Sequence, residues 1–64
     1  MGGLPGDLTP TEAQVANLVA DGLTDKEIAS QLDMAPKTVE NHVRQLLRKA
    51  DVENRTKFAV MFRA

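Results

Sequence analysis

Apolar residues recur along most of the chain at the three- and four-residue spacing that is typical of α-helices. Four such groups occur, and polar or turn-forming residues separate one group from the next. No segment alternates apolar and polar residues with the period of a β-strand. The pattern therefore predicts an all-α fold of four short helices, over about residues 10–21, 25–32, 36–50 and 55–63.

Residues that start helices stand just before each apolar group. Residues 9–12 and 24–27 both combine a threonine with a glutamate three positions later, which is the capping-box pattern. Pro36 has the fixed φ angle that suits the first position of the third helix, and Asn54 can cap the fourth. These residues predict where the helices begin, which apolar spacing alone does not.

The second and third predicted helices are separated only by residues 33–35. Asp33 tolerates left-handed backbone better than most residues, and Gly22 offers that freedom after the first helix. Helices joined by so short a turn cross steeply, as in a helix-turn-helix. We therefore predict this motif over about residues 24–43, with residues 36–50 as its recognition helix.

The third helix carries a polar stripe opposite its apolar one. Arginine can hydrogen-bond O6 and N7 of guanine together, and asparagine can bind N6 and N7 of adenine in the same way. We therefore predict that Glu40, Asn41 and Arg44 read bases in the major groove of DNA, although such a stripe is also typical of a solvated helix face. The full stripe is Lys37, Glu40, Asn41, Arg44 and Arg48.

Phosphate contacts are predicted where hydroxyl and basic side chains lie near helix ends. The N-terminus of a helix favours an anion, because its free amides and its dipole present positive charge. Basic residues late in the third helix can either bind phosphate or complement the negative helix C-terminus. The predicted phosphate-contacting residues are Thr24, Lys26, Lys37, Thr38, Arg48 and Lys49.

Glu40 is the acidic residue of the stripe, and three interpretations are open. It can form a helical ion pair with Arg44, four residues later, and hold that side chain for a guanine. It can accept a hydrogen bond from N4 of cytosine. It can also repel non-cognate DNA. Our hypothesis is that Glu40 lowers general affinity and sharpens sequence choice.

Size and composition exclude several classes of protein and site. Sixty-four residues make one small domain, and the absence of cysteine excludes disulfides and thiolate metal sites. One histidine cannot build a zinc site alone, and no set of nucleophile, base and acid is present for an enzyme. No apolar run approaches the ~20 residues of a membrane span. We expect a soluble, cytoplasmic protein with no catalytic, metal or cofactor site.

The net charge of −1 hides an asymmetry between the two halves of the chain. Residues 1–33 hold six acidic residues and one basic residue, whereas residues 34–64 hold seven basic and three acidic ones. A basic half attached to an acidic body suits a docked anion such as DNA, although a solvated charged surface explains the same pattern.

Four segments of the chain match the pattern of a known family in register. They are residues 8–12 (LTPTE), 22–29 (GLTDKEIA), 37–43 (KTVENHV) and 55–56 (RT). Over residues 8–64 the chain closely resembles the LuxR-type, or GerE-like, helix-turn-helix domain. The resemblance implies the DNA-binding domain of a bacterial transcription regulator, whose third helix reads the major groove.

The resemblance also implies partners. Such domains usually end a longer protein that begins with a receiver or ligand-sensing domain. We interpret this chain, which lacks that domain, as an isolated DNA-binding domain or a very small regulator. Family members commonly dimerise through the last helix, which here implicates Val60, Met61 and Ala64. Residues 1–7, with three glycines and a proline, are interpreted as a flexible linker or expression remnant.

Three positions depart from the family pattern. Asp33 replaces the usual turn glycine, and Ala35 replaces the usual serine at the start of the third helix. The second change forfeits a cap worth ~1 kcal/mol. Glu40 stands where many relatives carry a basic or neutral residue aimed at the groove.

The predicted function is sequence-specific binding of double-stranded DNA by a transcription regulator, as a dimer that is nucleoid-associated when bound. The alternative is a protein-interaction module of the same fold that contacts RNA polymerase or another regulator. A steep loss of affinity with salt would favour DNA over the alternative.

Overall fold

The computed structural model describes residues 8–63, and all of its regular structure is helical. The helices are α1 (Pro10–Ala20), α2 (Asp25–Leu32), α3 (Pro36–Ala50) and α4 (Arg55–Arg63). The predicted all-α, four-helix class is confirmed, and the predicted ends differ only at α1, where residue 21 is the C-cap. The proposed linker, residues 1–7, lies outside the described part of the chain.

The starts of α1 and α2 are closed by the two predicted capping boxes. In α1 the Thr9 hydroxyl accepts the Glu12 amide at 3.1 Å, and the Thr9 amide donates to Glu12 Oε1 at 3.0 Å. Thr24 and Glu27 repeat the arrangement in α2 at 3.2 and 2.8 Å. Each box satisfies amides that the first helical turn leaves without a partner.

The other two helices begin differently. Ala35 holds the extended N-cap conformation before α3 but makes no side-chain cap hydrogen bond. The predicted cap of α4 is present, because Asn54 Oδ1 accepts the Lys57 amide at 2.9 Å. Among the starts of the four helices, that of α3 therefore lacks a side-chain cap, as expected from the alanine at position 35.

Three helices have a residue with positive φ at the C-cap or directly after it. Gly22 has φ 89°, Asp33 has φ 55° and Asp51 has φ 57°. An aspartate in this left-handed conformation carries strain that glycine avoids, which makes the ends of α2 and α3 less favourable than that of α1. In each case the next amide closes the turn onto the helix: Leu23 on Leu18, Met34 on Ala29, and Val52 on Leu47.

All four helices contribute to one apolar core, and α3 packs against each of the other three. Phe58 of α4 is fully buried and its ring stacks on that of Phe62 at 5.6 Å. Because the inner face of α3 is held from three sides, its opposite face is presented to solvent. The largest fully buried side chains are Phe58, Ile28, Leu46, Val15 and Val39.

Two arginines of α4 fasten it to the loop between α1 and α2. Arg55 Nη1 donates to Asp25 Oδ1 at 2.6 Å, and Arg55 Nη2 donates to the Leu23 carbonyl at 3.0 Å. At the other end of α4, Arg63 donates to the Ala20 carbonyl at 2.6 Å and to Asp21 Oδ1 at 2.7 Å. The Arg55 bonds hold the start of α2 against α4, and the Arg63 bonds hold the end of α1.

Candidate nucleic-acid interface

One face of α3 forms an exposed polar ridge. We define the recognition ridge as Lys37, Glu40, Asn41, Arg44 and Arg48, all of which are exposed. The opposite face, with Val39, Val43, Leu46 and Ala50, is buried. At a rise of about 1.5 Å per residue, the ridge extends over roughly 16 Å, enough to follow a groove across several base pairs.

Gln45 lies beside the recognition ridge and was not among the residues predicted from the sequence. It is exposed and follows Arg44 directly, four residues after Asn41, so it shares the outward side of the helix. With Arg48 and Lys49 it lines a shallow depression beside the end of α3. Counting one further turn from Asn41 would have identified it. Its amide can pair with adenine as that of asparagine does.

The acidic residue of the ridge pairs with a lysine rather than with the arginine considered from the sequence. Glu40 Oε1 lies 3.6 Å from Lys37 Nζ, one turn earlier on the helix. Within residues 8–63, no ion pair joins Glu40 to Arg44 in the absence of DNA, and the role of Glu40 stays a prediction. Arg44 is exposed on the ridge, and no carboxylate among the described residues orients it.

The other predicted phosphate contacts lie at the starts of α2 and α3. Thr24, Lys26 and Thr38 are all exposed. The Thr24 oxygen already accepts the Glu27 amide, but a hydroxyl that accepts can still donate its hydrogen to a phosphate. These residues are in a position to contact a backbone, and their role stays a prediction.

Lys49 has a different environment from the rest of this set. Its ammonium donates to Glu12 Oε1 at 2.8 Å, and the lysine and glutamate side chains are 30% and 7% exposed. The Lys49 ammonium, followed by the Thr9 amide, holds the pKa of Glu12 below its ordinary value of 4.5. This contact ties the end of α3 to the start of α1, whereas Arg48 stays exposed.

Arg55 has no individual role predicted from the sequence, and the structure identifies it as a residue that positions the start of α2. Its two hydrogen bonds cross about half the chain and hold the first turn of α2, where Thr24 and Lys26 lie. Because the guanidinium binds a carboxylate and a carbonyl at once, lysine would not replace it. Only its place beside threonine in the family pattern could have indicated its importance.

The three predicted dimer residues differ in placement. Val60 of α4 is 67% exposed, which is unusual for a large apolar side chain in this domain. Met61 is partly buried and packs against the core, so much of its surface is already covered. Ala64 lies outside the described residues. Val60 is therefore the most accessible apolar residue of α4.

Two further findings concern only the part of the chain that the structure describes. No group of three metal-ligating side chains comes together among these residues. None of their helices is long and apolar enough to cross a membrane.

Comparison with known proteins identifies a family and several similar transcriptional regulators. The family described as bacterial regulatory proteins, luxR family, matches residues 7–62. A probable transcriptional regulator, ycf29, of Porphyra purpurea is 53% identical over 49 residues, which cover 77% of this chain and 23% of that protein. The DNA-binding transcriptional activator DevR/DosR of Mycobacterium tuberculosis is 45% identical over 53 residues, covering 83% and 24%. The transcriptional regulatory protein LiaR of Bacillus subtilis is 43% identical over 53 residues, covering 83% and 25%.

The chain thus spans about a quarter of the length of these relatives. They are named as transcriptional regulators and not as enzymes, in agreement with the prediction from the sequence. The matched region includes α1, α2 and α3, with the recognition ridge, and all of α4 except Arg63. The chain therefore belongs to the luxR family of bacterial regulatory proteins.

Proposed function

We propose that this domain binds double-stranded DNA sequence-specifically and serves as the DNA-binding part of a transcription regulator. The observation that carries the proposal is the exposure of Asn41 and Arg44 on a helix whose opposite face is buried. A helix of this kind can enter the major groove and present base-reading groups without unfolding any of the core. DevR/DosR, a similar protein, is named as a DNA-binding activator.

The proposed division of roles follows the helices. α3 lies in the major groove, where Glu40, Asn41 and Arg44 face base edges. Phosphates flank them, bound by Thr24 and Lys26 at the start of α2 and by the ends of α3. If Lys26, Lys37 and Arg48 each neutralise one phosphate, the slope of log affinity against log salt is roughly −2.7 for one protomer.

We also propose that two copies bind together through α4. One small module makes few phosphate contacts, so a second copy on a neighbouring half-site would supply the missing affinity. The exposure of Val60 supports α4 as the contact. Replacing Val60 with aspartate should weaken binding to a duplex with two half-sites about one helical turn apart, and leave binding to a single half-site unchanged. Equal effects on both duplexes would refute the dimer.

The companion domain belongs to the proposal as well. Because the matched residues cover only about a quarter of each of these relatives, we infer that the domain works beside a receiver or ligand-sensing domain in the bacterial cytoplasm. A contact with RNA polymerase would follow from activation of transcription and is part of the same proposal.

Selection from a random duplex library, followed by fluorescence anisotropy on the selected site, tests DNA binding directly. Arg44→Ala should cost about 1–3 kcal/mol and relax the preference at one base pair. Lys57→Ala is the control, because it removes a positive charge that lies on α4 and pairs with Glu53. The proposal fails if no duplex is enriched, or if both variants bind as the unmodified chain does. Binding of RNA polymerase instead, with no DNA affinity, would support the protein-interaction alternative.

A further inference from the structure

Glu40 is a carboxylate on a surface that is proposed to meet a polyanion. It is the acidic member of the recognition ridge, and its side chain is 49% exposed. Its contact in the free domain is the Lys37 ammonium, 3.6 Å away, on a side chain that is 80% exposed. The two charges offset each other, so this part of the ridge presents little net positive charge.

The base edges of the major groove limit what a carboxylate can accept. Guanine presents two acceptors there, and thymine presents an acceptor and a methyl group. Donors come only from N4 of cytosine and N6 of adenine, and adenine places an acceptor next to its donor. An ionised glutamate, which has no hydrogen to donate, is therefore best matched by cytosine.

We propose that Glu40 selects cytosine at one position of the DNA site. We also propose that Lys37 is the counter-charge of Glu40 in the free domain and is released from this ion pair when Glu40 binds the cytosine. On other sequences Glu40 faces acceptors, so the lysine stays beside it and one phosphate is left without its cation. On the selected sequence the cytosine amino group satisfies the carboxylate, and Lys37 can turn to a phosphate. This inference rests on the proposed function, since it assumes that α3 lies in the major groove.

The salt dependence of affinity for random duplex tests whether Glu40 keeps Lys37 away from a phosphate. Glu40→Gln keeps the shape of the side chain and removes its charge, so Lys37 becomes available to a phosphate. The slope of log affinity against log salt should steepen by about 0.9, and binding to random duplex should strengthen about two- to fivefold. In the double variant with Lys37→Gln the steepening should disappear.

The matched control is the other exposed glutamate–lysine pair of the domain's second half. Glu53 and Lys57 lie 2.7 Å apart and are 79% and 59% exposed. Glu53→Gln makes the same change of charge away from the ridge, so it should leave the salt slope unaltered. An equal steepening in both variants would assign the effect to net charge and overturn the role of the pair.

The base preference is tested by repeating the library selection with Glu40→Ala. The unmodified chain should require cytosine at one position, and the variant should lose that preference alone, by about fivefold to 150-fold. If the unmodified chain enriches a site and the variant enriches the same site with the same preferences, this inference fails while the proposed function stands. If the unmodified chain enriches nothing, the proposed function fails first.

Discussion

Replacing Ala35 with serine should stabilise the domain by restoring a missing helix cap. The backbone at residue 35 is already in the required conformation, with φ −72° and ψ 144°. The capped starts of α1 and α2 are similar, with φ −70° and ψ 161° at Thr9 and φ −79° and ψ 166° at Thr24. A serine hydroxyl at position 35 can therefore accept the Thr38 amide, in place of the Ala35 carbonyl or together with it.

The expected gain follows from the local geometry. The Thr38 amide now donates to the Ala35 carbonyl at 2.9 Å, and Pro36 has no amide hydrogen to satisfy. A hydroxyl cap on such a start is worth about 1 kcal/mol, within a range of about 0.5–2. A domain of this size has a free energy of unfolding of roughly 3–10 kcal/mol, so the change is a sizeable fraction of it. The midpoint of thermal unfolding should rise by about 4–8 °C.

Urea unfolding followed by far-UV circular dichroism measures this gain, and the chain supplies its own control. Thr24→Ala removes the equivalent hydroxyl from α2, where it accepts the Glu27 amide at 3.2 Å. It should lower the free energy of unfolding by a similar ~1 kcal/mol. If Thr24→Ala carries that cost but Ala35→Ser changes stability by less than ~0.3 kcal/mol, the reasoning from cap geometry is refuted for α3.

Three further predictions concern stability. Asp33→Gly should raise the free energy of unfolding, measured in urea, by about 0.5–1 kcal/mol, because glycine holds φ 55° without strain. A free energy of unfolding below that of the unmodified chain would contradict this. Glu12 has a lowered pKa, so its contact with Lys49 stabilises the domain above pH 4.5 and is lost as pH falls through the folded-state pKa. Urea unfolding at a series of acidic pH values should therefore show that the free energy of unfolding falls less steeply with decreasing pH in Glu12→Gln than in the unmodified chain. Equal slopes in the two proteins would show that the contact between Glu12 and Lys49 does not cause the loss of stability in acid. Phe58→Ala should lower the free energy of unfolding by about 3–5 kcal/mol, whereas Val60→Ala, at an exposed position, should change it by no more than ~0.5 kcal/mol. Thermal unfolding measures both, and similar losses of stability in the two variants would contradict the burial of Phe58 in the core.

The helix boundaries and the outward face of α3 could be predicted because both depend on neighbours in the chain. A capping box joins groups three residues apart, and Thr9–Glu12 and Thr24–Glu27 formed as the sequence indicated. The periodicity of α3 separates its buried and exposed residues with no information from the other helices. The same reasoning missed Gln45, since the stripe was chosen by charge and residue type as well as by spacing.

Choices between alternative partners were not predictable. Glu40 has basic residues both before and after it on the same helix, and spacing alone favoured Arg44, whereas the folded chain pairs it with Lys37. Lys49 was grouped with the phosphate contacts because it is basic and near a helix end. Its pairing with Glu12, 37 residues away, depends on how α1 and α3 cross.

The sequence by itself determined four helices, their caps and the polar character of one side of α3, because those features arise from interactions within one or two helical turns. Tertiary structure alone decided that Arg55 would hold the start of α2 from 30 residues away, and that Met61 would pack against the core while Val60 stays exposed. Such contacts depend on the crossing angles of packed helices, which the burial of the shared core sets and which local spacing does not encode.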